Sequence, residues 1–277
     1  MKLLSLLSAI CLVSVSFLPA CNNEAKQTTG TETKTPKLKE ETITYKVDSL
    51  NMSSYLVYDE NKEGQRPAVL VVHEWWGLND YVKSRARQLA ELGYVAIAVD
   101  MYGNGQMGND PGAAERLAMP FYVNPQMAKT HFDAALNKLK ENPNVDLSKI
   151  AAMGYCFGGS VVLGMAKMGD DLKGVVSFHG GLAGMPPSKD LLKAEVLVCH
   201  GAADSFVPQP EVDQFKKQMD SVGAKYTFKV YPDATHAFTN PEATEMGKKF
   251  NIPIAYNAEA DSASWNDMKE FFNRIFK

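Results

Sequence analysis

Apolar residues along the chain gather into two alternating kinds of run. Ala68–His73, Tyr94–Val99, Lys149–Met153, Val175–Phe178, Val196–Cys199 and Tyr226–Val230 are apolar runs of strand length. Between them, Tyr81–Leu92, Gln126–Asn142, Ser160–Met168, Glu211–Val222 and Ser262–Phe276 space their apolar residues at the period of a helix. Ahead of these, Thr42–Val47 and Ser53–Tyr58 alternate around Ser49-Leu50-Asn51, which predicts an antiparallel pair at a sheet edge. Strands with no polar face must be covered on both sides, and helices between them connect parallel neighbours. The predicted class is α/β, a doubly wound and mostly parallel sheet.

The first forty residues break this pattern. Met1–Ala20 has a basic start at Lys2 and an apolar stretch from Leu3 to Phe17, then Leu18-Pro19-Ala20-Cys21. That is the layout of an export signal, and the stretch is shorter than the roughly 20 residues a bilayer core requires. Leu-x-Ala-Cys resembles the lipobox of bacterial lipoproteins, so Cys21 is the expected lipid anchor. The alternative is a plain secretory signal cut nearby. The implied location is an exported, membrane-anchored lipoprotein of a bacterial periplasm or outer membrane. Residues 21–40, rich in Thr, Lys, Glu, Gln and Asn, read as a flexible tether. Residues 41–277 then form one domain, within the size of a single α/β unit.

Composition narrows the partners. Twenty-nine basic residues against 32 acidic ones give a net charge of −3, so no basic field draws nucleic acid. No HExxH and no GxxxxGK loop occurs, and neither a metal nor a nucleotide cofactor is expected. A monomer is expected. The four cysteines, Cys11, Cys21, Cys156 and Cys199, are too dispersed for a disulfide scaffold. Cys199 lies within an apolar strand and reads as an inert buried thiol.

In doubly wound sheets the chemistry gathers beyond the carboxyl ends of the strands. After Lys149–Met153 comes Gly154-Tyr155-Cys156-Phe157-Gly158-Gly159 and then a helix pattern. This is a nucleophile elbow with cysteine in the usual place of serine. After Val196–Cys199 comes His200-Gly201-Ala202-Ala203-Asp204, and after Tyr226–Val230 comes Tyr231-Pro232-Asp233-Ala234-Thr235-His236. Nucleophile, acid and base therefore follow in the order Cys156, Asp204, His236. His236 could carry a proton near neutral pH, Asp204 could hold its tautomer, and Cys156 could attack as a thiolate. Singly, Asp204 could be only a helix cap and His236 only a loop histidine. Beyond Ala68–His73 lies Glu74-Trp75-Trp76-Gly77, where Trp75 is the expected second backbone donor to an oxyanion. Glu74 is a carboxylate among aromatics and a candidate partner for the thiol. His73, His131, His179 and His200 have structural roles as their default.

His73-Glu74-Trp75-Trp76-Gly77, Asp100-Met101-Tyr102-Gly103, the Cys156 elbow, His200 to Pro208 and His236-Ala237-Phe238 together resemble the dienelactone hydrolase family, whose namesake is carboxymethylenebutenolidase. The resemblance runs from about Glu40 to Lys277. It implies the α/β-hydrolase fold and a cysteine hydrolase of lactones or other carboxylic esters, without metal or cofactor. It also implies that Glu74 contacts the resting thiol and helps activate it, with the Phe157 and Trp75 N–H groups as oxyanion hole. The namesake holds its substrate's carboxylate with two arginines, and the matching positions here are Asn104 and Asn240. Losing both charged forks points to a neutral or larger ester or lactone. Trp76, Asn104, Asn240 and Phe238 are the expected substrate contacts, and the loop Gly103–Pro125 is expected over the cleft. The competing reading is a non-catalytic ligand-binding lipoprotein that retains the fold.

Overall fold

The computed structural model describes residues 35–277, so the signal segment, Cys21 and most of the tether lie outside the described residues. Eight strands make one sheet: β1 (Leu38–Val47), β2 (Leu50–Asp59), β3 (Arg66–Val72), β4 (Val95–Val99), β5 (Val145–Tyr155), β6 (Gly174–Phe178), β7 (Glu195–Gly201) and β8 (Tyr226–Tyr231). Their spatial order is β1-β2-β4-β3-β5-β6-β7-β8. β1 and β2 form the predicted antiparallel hairpin, β2 joins β4 antiparallel, and β3 through β8 run parallel. The helices are α1 (Asp80–Glu91), α2 (Pro111–Val123), α3 (Pro125–Lys140), α4 (Phe157–Lys167), α5 (Gln209–Ser221), α6 (Ala243–Phe250) and α7 (Ala258–Ile275).

The pleat of the central strands builds two cores. Leu70 and Val72 of β3 point to the face where Phe132, Val162 and Phe215 from α3, α4 and α5 pack. Val69 and Val71 point the other way, to Leu89 of α1 and Phe272 of α7. Both faces of the sheet are thereby buried, as the unbroken apolar runs require.

Three features depart from the sequence reading. β1 starts at Leu38, so the last residues of the expected tether belong to the sheet. Its alternation of charged and apolar residues suits an edge strand, and Glu40 binds Arg87 of α1 through both carboxylate oxygens at 3.0 and 3.1 Å. α2 occupies the segment expected as a loop: the Asp110 carboxylate accepts the Ala113 N–H at 2.9 Å and Pro111 takes the first helical position. Gly112 and Pro120 obscure its helical period. α6 is a short helix within the segment that follows the third strand-end loop, with no long apolar stripe to announce it.

Candidate active site

β5 ends at Tyr155 and α4 begins at Phe157, leaving Cys156 alone between them at φ 52°. A residue with a Cβ in that region costs on the order of 1–3 kcal/mol, a strain typical of functional turns. A Cβ on Gly154 would lie 2.1 Å from the Gly158 carbonyl oxygen, and one on Gly158 would lie 2.2 Å from that of Val72. Only glycine fits either position. The Gly158 N–H donates to the His73 carbonyl at 3.0 Å, which ties the elbow to the loop after β3.

Asp204, beyond β7, divides its carboxylate. One oxygen accepts the Phe206 and Val207 N–H groups at 2.9 and 3.3 Å, and the other accepts from His236 Nδ1 at 2.9 Å. With Nδ1 donating, Nε2 is left for the sulfur of Cys156. Burial alone would lower the proton affinity of His236, but Cys156 and Asp204 together raise its pKa to about 10. An imidazolium is thereby stabilised between a sulfur and a carboxylate. Cys199, the other thiol among the described residues, is fully buried in β7 and pushed up to about 12 by that burial.

Glu74 and the loop around it complete the constellation. Asn240 Nδ2 donates to Glu74 at 2.7 Å, yet burial still drives this carboxyl up to about 7. His73 donates from Nδ1 to the Glu74 carbonyl at 2.5 Å and accepts the Met101 N–H at Nε2, 3.3 Å away. Burial pushes its pKa down to about 4, so this ring is neutral and shapes the loop. Among the described residues nothing accepts the N–H of Trp75 or of Phe157.

These groups open onto a cavity of about 360 Å³ lined by Glu74, Cys156 and His236 together with Trp75, Trp76, Met119, Tyr122, Phe206 and Ile254. Glu115 and Glu211 also reach it, and among the described residues that line it there is no Lys or Arg. Of the four expected substrate contacts only Trp76 is in this wall. Asn240 is spent on Glu74. Asn104 is folded back on β2, donating to the Asn51 carbonyl at 2.6 Å and accepting its N–H at 3.0 Å. Phe238 is fully buried against the rings of His179 and Tyr231. The expected substrate contact at Asn104, Asn240 and Phe238 is corrected to this extent: none of the three lines the cavity, the Asn104 side-chain oxygen accepting from Asn51, Asn240 Nδ2 donating to Glu74, and Phe238 lying in the core. α2 adds Glu115, Ala118, Met119 and Tyr122 to the wall, and the Asp110-Pro111 start is the sequence signal for that helix.

His179, at the end of β6, does more than pack. The Cys156 N–H is shared between the Phe178 carbonyl at 3.0 Å and His179 Nδ1 at 3.1 Å, so Nε2 carries the hydrogen that faces Thr239 Oγ1 at 2.7 Å. Burial holds this imidazole well below the usual range and keeps it neutral beside the His236 ring, 5.3 Å away. Thr239 is fixed in turn by Tyr81 at 2.6 Å and, through its carbonyl, by buried Arg85 at 2.6 Å. His179 thus bridges the elbow and the loop that carries His236. Replacing it with Phe keeps the volume and removes both bonds. For p-nitrophenyl acetate we expect kcat to fall about 10- to 100-fold with KM nearly unchanged; an unchanged kcat would show that the bridge positions nothing.

The model of the dienelactone hydrolase family matches residues 52–276. A protein of Methylorubrum extorquens named "Putative carboxymethylenebutenolidase" is 28% identical over 222 residues, covering 76% of this chain and 73% of its own length. Protein usf of Aquifex pyrophilus is 30% identical over 197 residues, covering 69% of this chain and 84% of its own. Among solved structures, a dienelactone hydrolase-like promiscuous phosphotriesterase from metagenomic libraries superposes with a TM-score of 0.81. It is 34% identical and covers 87% of this chain and 99% of its own.

Proposed function

The chain belongs to the dienelactone hydrolase family and is an ester or lactone hydrolase, and from that premise we propose that it works through a Cys156-His236-Asp204 triad and a thioester intermediate. The observation that carries this reading is the single contact between His236 and Asp204 at 2.9 Å beside a cysteine strained into the mouth of the cavity. The Cys156 sulfur bonds to the acyl carbon while the carbonyl oxygen takes the N–H groups of Phe157 and Trp75. The C–O bond breaks and His236 gives its proton to the leaving oxygen. Water then passes a proton to His236 and its oxygen to the acyl carbon, releasing the acid and the thiolate. Glu74 serves as a partner for the thiol proton before attack. Intact mass after mixing with p-nitrophenyl acetate tests this. We expect one acetyl group on Cys156 and none in Cys156→Ala; hydrolysis with no acetyl ever on that residue would refute the thioester.

The wall of the cleft supports a neutral substrate. It is mostly apolar, it carries Glu115 and Glu211 besides Glu74, and the described lining has no Lys or Arg to receive an anion, its cationic His236 being paired already with Asp204. A p-nitrophenyl ester carrying a free carboxylate should be turned over at least about tenfold less efficiently than its methyl ester, a cost of about 1.4 kcal/mol. Equal kcat/KM values for the two would overturn this. We further propose, from Leu18-Pro19-Ala20-Cys21, that the enzyme is exported and held to a membrane through Cys21. Labelling of expressing bacteria with a palmitate analogue, lost on Cys21→Ser, is the expected result.

A further inference from the structure

Beside the reaction cavity lies a second one of about 80 Å³, and the two share three wall residues, Tyr122, Ser160 and Ala183. Its wall is otherwise mostly apolar, with Phe121 from α2 and Val161, Leu163 and Met165 from α4. Lys167, its charged member, lies with its ammonium 5.4 Å from the centre of the Phe215 ring, and Phe215 is not in this wall. Gly164 also faces the cavity, and a Cβ placed there would meet no atom within 4 Å. At the rim, Met185 and Tyr122 are 37% and 48% exposed, large apolar groups left facing water.

We propose that this second cavity receives the apolar acyl chain of the substrate, so that the enzyme favours esters of medium-chain acids. The inference rests on Cys156 being the nucleophile. Three directions leave the acyl carbon at that sulfur. The oxygen points to the Phe157 and Trp75 N–H groups. The leaving group must lie on the His236 side to receive its proton, near Phe206, whose ring centre is 4.9 Å from that of His236. The chain takes the remaining side, toward Tyr122, Ser160 and Ala183, which is the wall common to both cavities. Neither His236 nor Phe206 lines the second cavity, so the two halves of the ester are kept apart.

The test compares kcat/KM for p-nitrophenyl octanoate and p-nitrophenyl acetate. Each methylene taken out of water contributes about fourfold, so the wild-type ratio should exceed about tenfold. Gly164→Leu fills the cavity with a better helix former, and Met185→Glu places a charge at its rim on a loop. Both should lower the ratio by about tenfold or more while retaining the wild-type melting temperature. A wild-type ratio near one, or a wild-type ratio kept by either folded variant, overturns the proposal. Should Gly164→Leu fail to fold, Met185→Glu decides. Cys156→Ala, run alongside, separates the two readings. If acetate hydrolysis survives in it, the nucleophile assignment fails. If acetate hydrolysis is lost but chain length has no effect, only the subsite fails.

Discussion

Cys156→Ala is expected to lower kcat/KM for p-nitrophenyl acetate by about 10⁴-fold, leaving a residue of activity from the oxyanion donors and the apolar cavity. The size follows from the roles. Alanine keeps the elbow and the Phe157 N–H but removes the one atom that can bond to the acyl carbon. His236, raised to about 10 by the neighbouring Cys156 and Asp204, loses the first of those partners and with it part of its hold on a proton. Cys156→Ser should recover little of the loss, because a serine hydroxyl is a weaker nucleophile and gives up its proton far less readily than a thiol. Steady-state rates over a range of ester concentrations give the comparison. An alanine variant within tenfold of the wild type would remove the sulfur from the mechanism.

The parts of this molecule that sequence exposes are those fixed by local pattern. The unbroken runs of β3 and β5 announce buried parallel strands, and Gly154 and Gly158 around Cys156 announce an elbow because backbone atoms lie where their side chains would be. The order Cys156, Asp204, His236 of the proposed triad is legible for the same reason: each follows a recognisable strand. What stays hidden depends on distant partners. Asn240 is expected at the substrate from the family resemblance, but its amide turns to Glu74, 166 positions away in the chain. His179 is one more strand-end histidine until Thr239 is seen beside it. α2 adds four residues to the cavity wall, yet glycine and proline blur its period, and its first turn is set by the single cap at Asp110.

Glu74→Gln carries the second large expectation, in activity and in stability together. Glu74 is neutral below about pH 7 and ionised above it, since burial raises it from 4.5 while Asn240, His236 and Arg85 only partly offset the rise. Only the ionised form can accept the thiol proton, so wild-type kcat/KM should fall as pH drops through about 7. Glutamine cannot ionise; it should lose that limb and run about 10²-fold slower at its best pH. The stability sign is opposite. A carboxyl raised in the native state binds its proton more tightly there than in the unfolded chain. Its contribution is therefore complete below 4.5 and is lost as pH rises through about 7, on the order of 3 kcal/mol in all. Glutamine retains an oxygen to accept the Asn240 N–H and has no such loss. Relative to wild type, the variant should gain stability between pH 4.5 and about pH 8 when both are unfolded in urea. A difference in stability that is constant across that range would mean that Glu74 is not held in a protonated, buried state, and the acid limb would then need another owner.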